Sequence, residues 1–174
     1  MFRVGTGFDI HRLVEGRPLR IGGVLIPGPV GFLGHSDGDI LVHALCNALL
    51  GAAGFKDIGA YFPDTDAKWK NMDSLSVMLP QVFNMVREKK YSIGNIDSTL
   101  VLERPKLAPY IDAMKANLSE KLNSLEIERI SIKATRTEQC FLTAPNEAGF
   151  AMVSVLLMED ASEAVPRPSR KKGS

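Results

Sequence analysis

Asp9 and His11 stand two positions apart near the start of the chain, in the stretch GTGFDIHRL at residues 5–13. On an extended strand, residues i and i+2 point to the same face, so this carboxylate and imidazole project together. The chain has only three histidines, His11, His35 and His43, and all lie in its first quarter. Neutral imidazole is the commonest side-chain metal ligand, and such clustering points to a site. His43 falls inside an apolar stretch, where an unpaired imidazole needs a partner. Asp9, His11 and His43 make three ligands. Catalytic zinc commonly takes three protein ligands and leaves a fourth position for water or substrate. The competing reading of the same spacing is a local Asp9–His11 pair and a satisfied core histidine.

Five further motifs carry chemistry. HSDGD, residues 35–39, precedes a helix whose free backbone N–H groups and dipole favour an anion, and His35 and Ser36 add donors. DIG at 57–59 and FPDTD at 62–66 bring Asp57, Asp64 and Asp66 close in sequence, suited to binding sugar hydroxyls or to supporting a metal ligand. RPK at 104–106 offers Lys106 as a flexible point charge for a phosphate. KATRTE at 133–138 offers Thr135, Arg136 and Thr137 as donors and Glu138 as a carboxylate. Magnesium is usually held by one or two carboxylates plus substrate phosphates, a role open to Glu138. Taken singly, each motif also fits a capped or solvated loop.

The elements that position these residues are legible in outline. Residues 2–10 and 18–26 read as short strands, and 27–39 as a loop rich in Gly, Pro, Asp and Ser. Asp37 or Asp39 can cap the next helix, 40–53, which is apolar nearly all round and therefore central and buried. Gly54 suits its C-terminal cap. Residues 55–73 read as a long functional loop. Asp73 or Ser74 caps a second helix reaching Lys89, kinked or ragged at Pro80. A strand follows at 96–103. A third helix, 107–123, has Ile111, Met114, Leu118 and Leu122 on one face, and strands follow at 129–134 and 150–158. The fold class this predicts is α+β: a single domain with a roughly four-stranded mixed sheet and helices on one face. The bare sheet face must be covered, and self-association covers it economically.

Composition sets the limits. At 174 residues the chain fits one domain with a real core, expected over residues 1–159, with 160–174 a polar, basic-ended tail expected to be disordered. A net charge of +1 argues against a general nucleic-acid or membrane-surface binder. Cys46 and Cys140 are too few for a disulfide framework and read as small buried hydrophobes in a reducing compartment. No stretch reads as a signal peptide or a membrane span, so a cytoplasmic location is expected.

The ordered set GFDIH, HSDGD with His43 four residues on, LLGAAG, DIG, FPDTD, GNID, RPK and KATRTE resembles the 2-C-methyl-D-erythritol 2,4-cyclodiphosphate synthase family over about residues 3–158. The resemblance implies conversion of 4-diphosphocytidyl-2-C-methyl-D-erythritol 2-phosphate into the cyclic diphosphate with loss of CMP, a step of the non-mevalonate isoprenoid pathway. It also implies a homotrimer whose sheets face a threefold axis and whose active sites lie between subunits. Asp9, His11 and His43 then match the ligands of a divalent metal, usually zinc, and Glu138 the ligand of a second ion, magnesium or manganese, on the diphosphate. His35 matches a residue that stabilises the transition state from the helix start, with Ser36 beside it. Asp57, Ile58 and Gly59 match contacts to the methylerythritol part, and Phe62, Pro63, Asp64, Thr65 and Asp66 the loop over that pocket. Pro105, Lys106 and Leu107, with Ala134, Thr135 and Thr137, match the cytosine and CMP-phosphate site. Leu142 also falls among the substrate-side positions.

The chain departs from the family pattern at three places. Arg136 stands where a run such as KATTTE has the threonine assigned to transition-state stabilisation; it either places a permanent charge on the phosphates or points to solvent. Leu142 and Pro145 replace a Phe and an Arg near the threefold channel, which removes an anion partner for isoprenoid phosphates. Pro80 is unusual in the second helix. Two other activities fit parts of the same residue set: a zinc phosphodiesterase or nucleotidase that releases a linear bisphosphate, and an inactive nucleotide-binding trimer.

Overall fold

The computed structural model describes residues 1–138 and 147–160. Strand β1 (Phe2–Glu15) is longer than its first nine residues promise, because its alternation continues past Asp9 and His11. The 18–26 stretch is not one strand. It folds into a hairpin of β2 (Leu19–Ile21) and β3 (Val24–Ile26), turned by Gly22 and Gly23 at φ of 57° and 75°. Glycine adopts that left-handed region without steric cost. The expected 27–39 loop contains a further short strand, β4 (Val30–Phe32), paired with the end of β1.

Helix α1 (Ile40–Ala52) is buried on nearly every side, as its all-round apolar sequence requires. Asp39 caps it by accepting from Val42 N–H at 3.1 Å. The same carboxylate accepts from Gly22 and Gly23 N–H at 2.9 and 2.7 Å, so one fully buried side chain ties the hairpin turn to the helix start. Gly54 follows the helix at φ 73°, the expected cap conformation.

The 55–73 segment is mostly loop, with one turn of helix, α2 (Ile58–Tyr61), and a 3₁₀ turn, Ala67–Trp69. The expected second helix is ragged where Pro80 predicts. Asp73 caps a wide π turn, Ser74–Met78, and the α-helix proper, α3 (Leu79–Glu88), begins one residue before the proline. There its missing N–H costs nothing. Then come β5 (Tyr91–Val101), α4 (Ile111–Lys121), β6 (Ile130–Thr135) and β7 (Ala148–Glu159).

The main sheet has five strands in the order β4-β1-β7-β5-β6, one more than expected because of β4. All pairs are antiparallel except β5 with β6, so the sheet is mixed. Helix α1 lies directly against β1. A Cβ on Gly7 would stand 1.9 Å from the Ala44 carbonyl oxygen, and one on Gly5 would stand 2.0 Å from that of Ala48. The glycines therefore let the helix approach the strand that carries Asp9 and His11. The opposite face of β1 and β7 is bare: Phe2, Val4, Phe8, Ile10 and Met152 are all exposed there. Met114, Leu118 and Leu122 of the expected third-helix face are buried. Among the described residues no helix is long and apolar enough to cross a membrane.

Candidate active site

Close packing of α1 on β1 places His43, from the helix, above Asp9 and His11, from the strand. His43 Nδ1 lies 3.0 Å and His11 Nε2 3.1 Å from the same oxygen, Asp9 Oδ2. One ligand atom from each of the three falls within 4.8 Å of the others.

The surrounding hydrogen bonds fix which nitrogens carry protons. His11 Nδ1 lies 2.6 Å from the Leu33 carbonyl oxygen, which can only accept, so Nδ1 carries the hydrogen and Nε2 faces Asp9. Ser74 Oγ lies 2.6 Å from Asp37 Oδ1, and an ionised carboxylate also only accepts, so the hydroxyl proton goes to Asp37. Ser74 Oγ must then accept from His43 Nε2 at 2.8 Å, which leaves His43 Nδ1 facing Asp9. In the neutral imidazoles both facing nitrogens are bare lone pairs. Three acceptors thus converge on one point, an arrangement that repels itself unless a cation or protons sit between them. Titration follows the same logic. Burial pushes the Asp9 carboxyl up, but hydrogen bonds and charge from His11 and His43 outweigh it and bring it from 3.8 to about 2. Burial pushes His11 down, but its bond to the Asp9 carboxylate, the charge there and the Leu33 carbonyl outweigh it and raise it above its ordinary 6.5. One carboxylate and two oriented imidazoles, with open space on one side, fit a divalent metal of the zinc type.

That open space is a cavity of about 390 Å³ lined by Asp9, His11, His35, Ser36 and His43, with Ile58, Gly59, Phe62, Pro63, Asp64, Trp69, Met72 and Met78. The structure thus gathers His35 and Ser36 of HSDGD, Ile58 and Gly59 of DIG, and Phe62, Pro63 and Asp64 of FPDTD around the triad. His35 is exposed at the rim, and its carbonyl accepts from Asn71 N–H at 2.9 Å. Trp69, Met72 and Met78 were not anticipated from the sequence. An aromatic partner for Phe62 was the available signal, since Phe62 and Trp69 stack edge-on at 5.0 Å. Asp57 lies beside the cavity, next to Ile58 and Gly59 of its lining. It caps α2 through Ala60 N–H at 3.1 Å and lines a neighbouring hollow with Thr6, Phe8 and Asn47. Asp66 caps the 3₁₀ turn through Lys68 N–H at 2.9 Å, and neither it nor Thr65 lines the cavity.

RPK and KATRTE meet in a second cleft of about 330 Å³. Pro105, Lys106, Leu107, Ala134, Thr135, Arg136 and Glu138 line it, and Thr137 beside it donates to Glu103 at 2.8 Å. Arg136 Nε lies 4.0 Å from Glu138 Oε1. The two clefts share no lining residue. His11 is level with Gly149 of β7, and Thr135 with Val101 of β5, so both clefts sit at one end of the sheet. Three strand spacings separate β1 from β6, about 14 Å. Leu142, Pro145, Cys140 and the tail from 161 lie outside the described residues.

Comparison with known proteins agrees with this geometry. A model of the YgbB family matches residues 2–158. The 2-C-methyl-D-erythritol 2,4-cyclodiphosphate synthase of Bacillus licheniformis is 50% identical over 159 residues, covering 91% of this chain and 99% of the relative. The enzyme of that name from Actinobacillus succinogenes is 48% identical, covering 92% and 100%. Among solved structures, a CDP-bound 2C-methyl-D-erythritol-2,4-cyclodiphosphate synthase superposes with a TM-score of 0.82 at 42% identity, covering 90% of this chain and 100% of that one. The bifunctional IspDF of Campylobacter jejuni superposes at 0.85 with 41% identity, this chain matching 42% of its length. With the matched region spanning both clefts and the whole sheet, the chain belongs to the YgbB family of 2-C-methyl-D-erythritol 2,4-cyclodiphosphate synthases.

Proposed function

We propose that this chain converts 4-diphosphocytidyl-2-C-methyl-D-erythritol 2-phosphate into 2-C-methyl-D-erythritol 2,4-cyclodiphosphate and CMP. An oxygen of the 2-phosphate forms a bond to the β-phosphorus. The bond from that phosphorus to the bridging oxygen breaks, and CMP leaves with the electron pair. Such a reaction is mostly positioning and charge stabilisation. A divalent ion held by Asp9, His11 and His43, zinc by the chemistry of the set, supplies Lewis acidity and a template for the phosphates. His35 and Ser36 present donors at the start of α1, where the helix dipole also favours developing negative charge. Asp57, Ile58, Gly59, Phe62, Pro63 and Asp64 hold the methylerythritol portion, with Thr65 and Asp66 shaping the loop. In the second cleft Pro105, Leu107, Ala134, Thr135 and Thr137 hold the cytidine, and Lys106 and Arg136 meet its phosphates. Glu138 holds a second ion, magnesium or manganese. The observation that carries the reading is the convergence of three acceptors on one point at the floor of a cavity ringed by the substrate motifs.

Phosphorus NMR of the product from purified protein, substrate and magnesium tests it. A cyclic diphosphate plus CMP is expected. A linear bisphosphate would make the protein a phosphodiesterase, and no reaction would leave a binding protein. Glu138→Ala should raise the magnesium concentration needed for half-maximal turnover, and an unchanged titration would remove Glu138 as a ligand.

The assembly we infer is a homotrimer that joins the metal cleft of one copy to the cytidine cleft of the next. Two separate clefts and a bare apolar sheet face support it. Asp9→Ala and Lys106→Ala chains, each inactive alone, should regain roughly a quarter of full activity when refolded together, since that fraction of interfaces unites two intact halves. No recovery would place the whole site within one chain.

A further inference from the structure

Behind the cation position, on the far side of His43, lies a polar cluster of Ser36, Asp37 and Ser74, of which only Ser36 also lines the cavity. Ser74 Oγ sits 2.8 Å and Ser36 Oγ 3.1 Å from His43 Nε2. Asp37 Oδ1 accepts the Ser74 hydroxyl at 2.6 Å and the Asp39 N–H at 3.2 Å, and it lies 3.9 Å from His43 Nε2. Asp37 Oδ2 accepts the Ser74 N–H at 2.8 Å. Ser74 is fully buried at the first position of the π turn. A cap for that turn needs only Asp73 and backbone groups: Asp73 already accepts from Ser76 N–H at 2.8 Å. The Ser74 hydroxyl is thus surplus to the helix start, yet it lies between a carboxylate and an imidazole.

We propose that Asp37 and Ser74 are positioning residues for the reaction, a relay that locks His43 in the tautomer and orientation presenting Nδ1 to the metal. The inference rests on the metal reading above. Asp37 fixes the direction of the Ser74 O–H, and Ser74 in turn obliges His43 Nε2 to donate. Without that hydroxyl, the imidazole can place its proton on Nδ1, facing Asp9, and in that tautomer it offers no ligand atom to the ion. A carboxylate at the end of such a chain also makes the imidazole a better donor of electrons to the metal. Ser36 is a second acceptor on the same nitrogen and softens the loss without replacing the ordered proton.

Ser74→Ala is the cleanest variant, because it keeps the backbone N–H that Asp37 Oδ2 accepts. Two measurements on the purified full chain test the relay. Zinc affinity, from competition with a chelating dye, should fall tenfold to a hundredfold, the usual effect of losing such a partner. Nitrogen-15 spectra of histidine-labelled, metal-free protein should show His43 protonated at Nε2 in the wild type and a mixture of tautomers in the variant. Ser74→Thr, which keeps a hydroxyl, should restore both. Zinc affinity within twofold of wild type with an unchanged tautomer in Ser74→Ala would overturn the relay alone. A lowered melting temperature of the metal-free variant with unchanged zinc affinity would also overturn it, leaving a packing role. A wild-type protein that binds no zinc at the triad would overturn the metal reading, and the relay with it.

Discussion

At the scale of single residues, the site is decided by where a few protons sit. Asp9, His11 and His43 are ligands only if both imidazoles turn bare nitrogens towards the carboxylate, and the Leu33 carbonyl and Ser74 hydroxyl enforce that. His43→Ala should abolish zinc binding and lower turnover more than a hundredfold, beyond the effect of losing a supporting partner. Metal analysis and circular dichroism should show a zinc-free but folded chain. The titration behaviour gives a second expectation. In metal-free protein the raised His11 binds its proton more tightly folded than unfolded, so its contribution is complete below about 6.5 and fades as pH rises through its folded value. Asp9, held at about 2, contributes above 3.8 and loses that contribution only as pH falls towards 2. The stripped protein should therefore lose stability from slightly acid to alkaline pH, while zinc, no longer competing with protons, binds better. Thermal melts with and without zinc over roughly pH 6 to 8.5 should show the gap in Tm widening. A constant gap would separate the triad from the metal.

At the scale of elements, helix α1 on strand β1 is the contact that makes the site. Gly5 and Gly7 remove the side chains that would hold them apart. Gly7→Ala should destabilise the protein by about 1–3 kcal/mol by overpacking against a backbone carbonyl that cannot move aside. Urea unfolding reads this directly. The same variant should weaken zinc binding, since a shifted helix carries His43 with it. Asp39 joins three backbone N–H groups of two elements in a fully buried position, where burial holds its carboxyl above the ordinary range. Asp39→Ala strands those donors and should cost about 3 kcal/mol or more, measured by the same unfolding curves.

At the scale of the whole molecule, the bare face of β1 and β7 is the surface through which the proposed trimer would form. Phe8 and Phe150 stack there with centroids 5.6 Å apart, beside Val4, Ile10 and Met152. The β5–β6 side of that face is polar, with Lys133 donating to Asp97 at 2.6 Å. A contact through the apolar side alone brings copies together along β1 and β7. If the proposed trimer forms through this face, Phe8→Glu buries a charge at that contact and should yield monomers. Light scattering would show the mass, and turnover should fall with it. A trimer of undiminished activity would exclude this face from the interface.

The sequence by itself determined the parts whose cause is local. Asp9 and His11 share a face because strands alternate, α1 is central because its residues are apolar all round, and Pro80 disturbs the helix start because it lacks an N–H. The family motifs RPK and KATRTE were legible for the same reason, each being a short run of fixed residue types. The tertiary structure decided what depends on distant segments meeting. Leu33, Ser74 and Asp37 become proton-ordering groups only when the loop after β4 and the start of the π turn converge at the triad, and none of them is unusual in its own neighbourhood. Strand β4 was hidden in a Gly- and Pro-rich run because its pairing with the far end of β1, not its own propensity, makes it a strand. Asp57 reads as one member of a carboxylate cluster, and the fold also uses it to cap α2 through Ala60 N–H. Spacing along a chain fixes which side chains share an element's face. Which faces meet is set by packing between elements, and it is that meeting which turns scattered polar residues into a site.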